Sequence, residues 1–64
     1  MTEKQIDNLF WDCCHYGKII KVEDFTFENE EIYISIAVIE YEGKKHLFIK
    51  RNGVVVHYEE VKED

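Results

Sequence analysis

No stretch of this 64-residue chain carries a catalytic signature, a glycine-rich nucleotide loop or a complete set of metal ligands. No catalytic residue, metal site or cofactor is therefore expected. Apolar runs long enough to span a membrane are missing, and the polar start, Met1 to Gln5, leads into a mixed segment without a secretory apolar core. A cytoplasmic location is the expectation. The two cysteines, Cys13 and Cys14, are adjacent, a spacing that does not suit a mutual disulfide. Repeats and low-complexity segments are absent, and there is room for one domain only, residues 1–64, with the acidic end at 60–64 expected to fray. A domain of this size buries only about 60% of the surface its unfolded chain exposes, so every apolar face must be used.

What the chain does have is charge in blocks. Fourteen acids against eight Lys and Arg give a net charge of -6. Glu23, Asp24, Glu28, Glu30 and Glu31 fall within nine residues that contain no Lys or Arg. Glu59, Glu60, Glu63 and Asp64 form a second block, and between the two Lys44, Lys45, Lys50 and Arg51 occupy a stretch without a carboxylate. Such blocks make directional fields that attract cationic partners and repel nucleic acid. A hydrophobic content of 45% is nevertheless too high for a disordered chain, so a folded domain is expected.

Ile6, Leu9, Phe10 and Cys13 recur at the i, i+3, i+4, i+7 spacing of one helical face, which predicts a helix over the first sixteen residues. Thr2 and Gln5 fit a capping box, and Gly17 fits a stop in the left-handed conformation. Beyond Gly17 the period becomes alternating. Strands are predicted at residues 18–27, 32–41, 45–51 and 54–59, joined at Glu42-Gly43 and Asn52-Gly53 by two-residue turns. Counting outward from those turns pairs Ile36 with Ile49, Val38 with Leu47, Ile49 with Val56, Leu47 with Tyr58 and Phe48 with His57. The fold class that results is α+β, an amino-terminal helix packed on a four-stranded antiparallel meander of order 1-2-3-4.

The register divides the strands into two faces. One holds Ile32, Ile34, Ile36, Val38, Leu47, Ile49, Val54, Val56 and Tyr58, and it is the face expected beneath the helix. Ile20 and Val22 share one parity while Phe25 and Phe27 share the other, so bringing all four to that face requires a β-bulge near Glu23 or Asp24. The other face holds Tyr33, Ala37, Ile39, Tyr41, Phe48, Val55 and His57, diluted by Ser35, His46 and Lys50. It is too apolar for ordinary surface and is expected to form an interface, in a small protein most simply a homodimer. Coverage by the carboxy-terminal tail or by scattered lysine stems is the alternative.

Asp12, Cys13, Cys14 and His15 are ligand types in a row, but successive helical side chains splay by about 100°, which suits neither zinc nor a Cys-His nucleophile. His46, His57 and Glu59 read as a cross-strand polar contact. Trp11 lies on the wheel beside Lys4, Asp7 and His15, away from the core stripe. It is either an interface anchor or a ring folded over the helix end or under the carboxy-terminal tail. The acids Glu23, Asp24, Glu28, Glu30, Glu31, Glu59 and Glu60 serve solubility on one reading and nucleic-acid mimicry on the other. Tyr33, Tyr41 and Phe48 could stack bases, yet the net negative charge opposes direct nucleic-acid binding.

In size, acidity, lack of a catalytic motif and compact α+β pattern, the chain resembles the small acidic inhibitors that bacteriophages make against host DNA-binding proteins. The likeness is compositional and spans the whole chain; it transfers no residue role. It implies a non-catalytic DNA mimic that occupies the basic surface of a nucleoid protein, polymerase, repair enzyme or nuclease. The alternative is a small dimeric adaptor or regulator that binds through the apolar outer sheet face or Trp11.

Overall fold

Thr2 starts the helix by the anticipated exchange. The Gln5 N–H donates to the Thr2 hydroxyl at 3.2 Å, and the Thr2 N–H donates to the Gln5 side-chain oxygen at 2.9 Å. Helix α1 runs Glu3–Tyr16, followed by β1 (Lys18–Phe27), a 3₁₀ turn (Glu28–Glu30), β2 (Ile32–Tyr41), β3 (Lys44–Arg51) and β4 (Val54–Val61). The computed structural model describes residues 1–62. Glu60 and Val61 extend β4 where fraying was expected, while that expectation for residues 63 and 64 lies outside the described residues. The sheet is antiparallel in the order β1-β2-β3-β4, and α1 packs on one side of it, an α+β fold.

Both turns have the backbone that a two-residue hairpin needs. Glu42 and Gly43 take φ of 52° and 77°, and Asn52 and Gly53 take 48° and 85°. The β2–β3 register is the one anticipated, with Ile36 opposite Ile49 and Val38 opposite Leu47. The β3–β4 pairing starts as expected, then shifts. Lys50 faces Val55, but Ile49 faces His57, so Val56 is an extra residue on β4 and Phe48 comes opposite Tyr58. In β1 the bulge sits at Ile20, between Ile19 and Lys21, and not at Glu23 or Asp24. The parity conflict is resolved without a bulge there: Val22 pairs with Ala37 on the helix side, and Phe25 pairs with Ile34 on the other.

The helix packs on the opposite face from the one expected. Its core is Cys13, Ala37, Ile39 and Phe48, all buried, with Ile6, Leu9, Phe10, Tyr41, Val55 and Tyr58 packed around them. Phe48 is 0% exposed, and the Phe10 ring meets it edge-on at 5.0 Å. Three features favour this face. Ala37 leaves room for a helix, His46 gains a partner in the Tyr58 hydroxyl at 2.7 Å, and Gly17 joins α1 to β1 directly over Ile39. A Cβ on Gly17 would lie 2.6 Å from the Cys13 carbonyl oxygen and 2.8 Å from both the Glu40 carbonyl oxygen and Ile39. Gly17 ends the helix as anticipated, its N–H donating to the Cys13 carbonyl at 2.9 Å, but its φ of -90° is not left-handed, so a glycine is needed here for close approach and not for the backbone conformation.

Candidate interaction surfaces

Turning the sheet over exchanges the roles of its faces. Ile39, Phe48, Tyr41 and Val55, expected at an interface, line the helix-covered core instead. Their alternates are uncovered. The face away from α1 forms cross-strand rows: Phe25, Ile34, Arg51 and Val54; then Glu23, Ile36, Ile49 and His57; then Lys21, Val38, Leu47 and Glu59. Apolar side chains run down the middle of this face and reach both edges at one end. Phe25 and Phe27 on β1 are 44% and 51% exposed, and Val54 and Val56 on β4 are 61% and 58%. An apolar surface spanning four strands is more than a monomeric fold of this size ordinarily leaves open.

At the other end of the same face the two edges carry charge. Lys21 pairs with Glu23 at 3.0 Å on β1, and His57 approaches Glu59 at 3.9 Å on β4. Each pair is two residues apart on its strand, which puts both members on one face. The other expected acids go elsewhere. Asp24 lies opposite Ser35 on the helix side, and Glu60 pairs with Lys44 at 3.5 Å, also on that side. Glu28, Glu30 and Glu31 are exposed at the β1–β2 tip, where Glu31 has φ of 53°.

Asn52 ties that tip to the neighbouring hairpin. Its side-chain oxygen accepts from the Tyr33 N–H at 2.8 Å, its amide donates to the Glu31 carbonyl at 3.4 Å, and its own N–H donates to the Tyr33 carbonyl at 2.8 Å. The tip therefore shares one end of the sheet with the β3–β4 turn, whereas Glu59 and Glu60 lie at the other end, on the far edge. The tip acids Glu28, Glu30 and Glu31 and the β4 acids Glu59 and Glu60 are therefore at opposite ends of the sheet. They do not make one surface.

Trp11 is 54% exposed, and it is not isolated. Its ring stacks on His15 at 3.8 Å and meets Tyr16 edge-on at 6.3 Å, while His15 Nδ1 lies 2.9 Å from the Trp11 carbonyl. This exposed aromatic group sits on the last turns of α1, remote from the open sheet face. Cys13 points into the core and Cys14 outward, and among the described residues no three His, Cys, Asp or Glu side chains gather closely enough to hold a metal. His46 is buried against Tyr58 on the helix side, so it does not meet His57 and Glu59. A cleft of about 420 Å³ opens beside the helix among Phe10, Asp24, Thr26, Tyr33, Ser35 and Lys50, with the Lys50 ammonium 4.4 Å over the Phe10 ring. Among the described residues no helix is long and apolar enough to cross a membrane.

The open face had a sequence signal. Both strand parities are apolar and a single helix can cover only one, so an uncovered face follows whichever way the sheet is turned. The chain matches no protein-family model, no curated protein and no solved structure.

Proposed function

We propose that the protein is a non-catalytic protein-binding module and that the helix-free sheet face is its binding surface. The observation that carries this reading is the continuous apolar centre of that face, Ile34, Ile36, Val38, Leu47 and Ile49, which no element of the described chain covers. Apolar interface centres with charged rims are the usual anatomy of a protein contact. A lysine placed at Ile36 would have to be buried unpaired on binding, lowering affinity by on the order of 30-fold or more. Immobilised Ile36→Lys protein should therefore lose what the unmodified protein retains, and the unmodified complex should survive roughly 1 M salt, where charge is screened within about 3 Å.

A second reading, mimicry of nucleic acid toward a basic protein, draws on the exposed tip carboxylates Glu28, Glu30 and Glu31. Reversing all three to Lys distinguishes the two. Binding lost in that variant and in salt, but kept by Ile36→Lys, would transfer the function to the acidic tip and sink the sheet-face reading.

A further inference from the structure

We infer that the occupant of the open face is a second copy of this chain, packed sheet against sheet about a two-fold axis parallel to the strands. This rests on the reading of that face as an interface and names its partner. The first argument is area. A folded monomer of 7.7 kDa is expected to expose about 4,300 Å². This chain exposes 5040 Å². The excess, about 700 Å², is close to the roughly 800 Å² that each partner buries in a specific interface of standard size.

The second argument is complementarity. Rotation about an axis along the strands lays β1 over β4 of the other copy and β2 over β3, keeping each cross-strand row opposite its own equivalent. Ile36 then meets Ile49 of the second copy, Val38 meets Leu47, and Phe25 meets Val54. On the same rows Lys21 comes opposite Glu59 and Glu23 opposite His57, so each edge's pair faces one of opposite order. Arg51, opposite Ile34, sits beside the turn and can carry its charge to the rim. The twist between packed sheets, about 30°, leaves these central rows in contact. The other face-to-face two-fold, with its axis across the strands, reverses the rows. It sets Phe25 against Lys18 and Ile34 against Glu40, which wastes the apolar end. Pairing through sheet edges is opposed as well, since both edge strands are interrupted by a bulge, at Ile20 and at Val56.

Sedimentation equilibrium on the full chain tests this directly. The expected mass is twice 7.7 kDa, falling toward the monomer on dilution. Ile36→Lys should be monomeric with unchanged far-ultraviolet circular dichroism; a dimer persisting in that folded variant would overturn the choice of face. Lys21→Glu and Glu59→Lys should each weaken self-association by about tenfold or more. An equimolar mixture of the two should recover it, because the carboxylate introduced at position 21 of one copy would then face the ammonium introduced at position 59 of the other, while the unaltered Glu59 would face the unaltered Lys21. Failure of the mixture to recover would overturn the axis. A mass of 7.7 kDa at every concentration up to about 1 mM, the range where weak contacts register, would overturn the second copy as occupant. In that event Ile36→Lys would still judge the interface itself, since loss of a different bound protein would leave the functional reading standing.

Discussion

Burial of Cys13 in the cluster with Ala37, Ile39 and Phe48 disfavours its thiolate. With smaller contributions from Cys14, Asp12 and Glu42, it pushes the thiol up from 9.0 to about 11. Tyr58 is shifted the same way, chiefly by burial and then by Glu60. The sign follows from linkage. A group that ionises at lower pH in the unfolded chain than in the fold stabilises the fold fully below its unfolded value, and that stability is lost as pH rises through the folded one. For Cys13 the window is from 9.0 to about 11. The urea midpoint should therefore fall across that window, and Cys13→Ala should flatten the decline. In the native protein a thiol reagent should label Cys14 rapidly and Cys13 only on unfolding, because Cys13 has no exposed surface and Cys14 is open.

At the scale of elements, the β3–β4 turn acts beyond its own hairpin. Asn52→Ala removes the acceptor of the Tyr33 N–H and leaves at a φ of 48° a residue without the local side-chain hydrogen bonding by which Asn tolerates the left-handed region. The two losses together cost about 2 kcal/mol. Asn52→Gly keeps the backbone and loses only the side-chain bonds, about 1 kcal/mol. Thermal unfolding should rank the variants in that order, with Tm lowered by about 10 °C for the alanine; an alanine variant as stable as the glycine one would remove the conformational part of the account. These turns were legible because Asn-Gly and Glu-Gly constrain φ locally, and with them came the β2–β3 register. Which face the helix covers was not legible. Periodicity separates Ile36 from Ala37 but does not rank them, and the decision rests on a small residue beneath the helix, on the His46–Tyr58 bond and on the tight join at Gly17. The β1 bulge was expected but placed at Glu23 or Asp24, and the β4 bulge was not expected at all, for the same reason: Ile20 and Val56 are β-branched and look like ordinary strand residues. The candidate site inherited the error. That one apolar face stays open was readable from a single helix and two apolar parities, while its residues were named from the wrong one.

For the molecule as a whole, four buried apolar residues among those described make a small core, and a domain of this size is marginal by itself. If a second copy covers the open face, association adds to stability by mass action, so Tm should rise with protein concentration. Differential scanning calorimetry over a hundredfold range checks this, and Ile36→Lys should abolish the dependence. A Tm independent of concentration in the unmodified protein would argue that the face stays uncovered.

The single-residue join at Gly17 also bears on the order of events during folding. A nascent sheet presents two apolar faces, either of which could be taken by another chain. Helix α1, tethered to β1 by one residue, searches from a distance of a few ångströms, and a short tether is equivalent to an effective concentration of about millimolar. A second chain at micromolar concentration arrives about a thousandfold less often. The tether thus biases the two faces differently: the helix meets the Phe48 side about a thousandfold more often than a neighbouring chain does, while no element of the described chain competes for the side lined by Ile36 and Ile49.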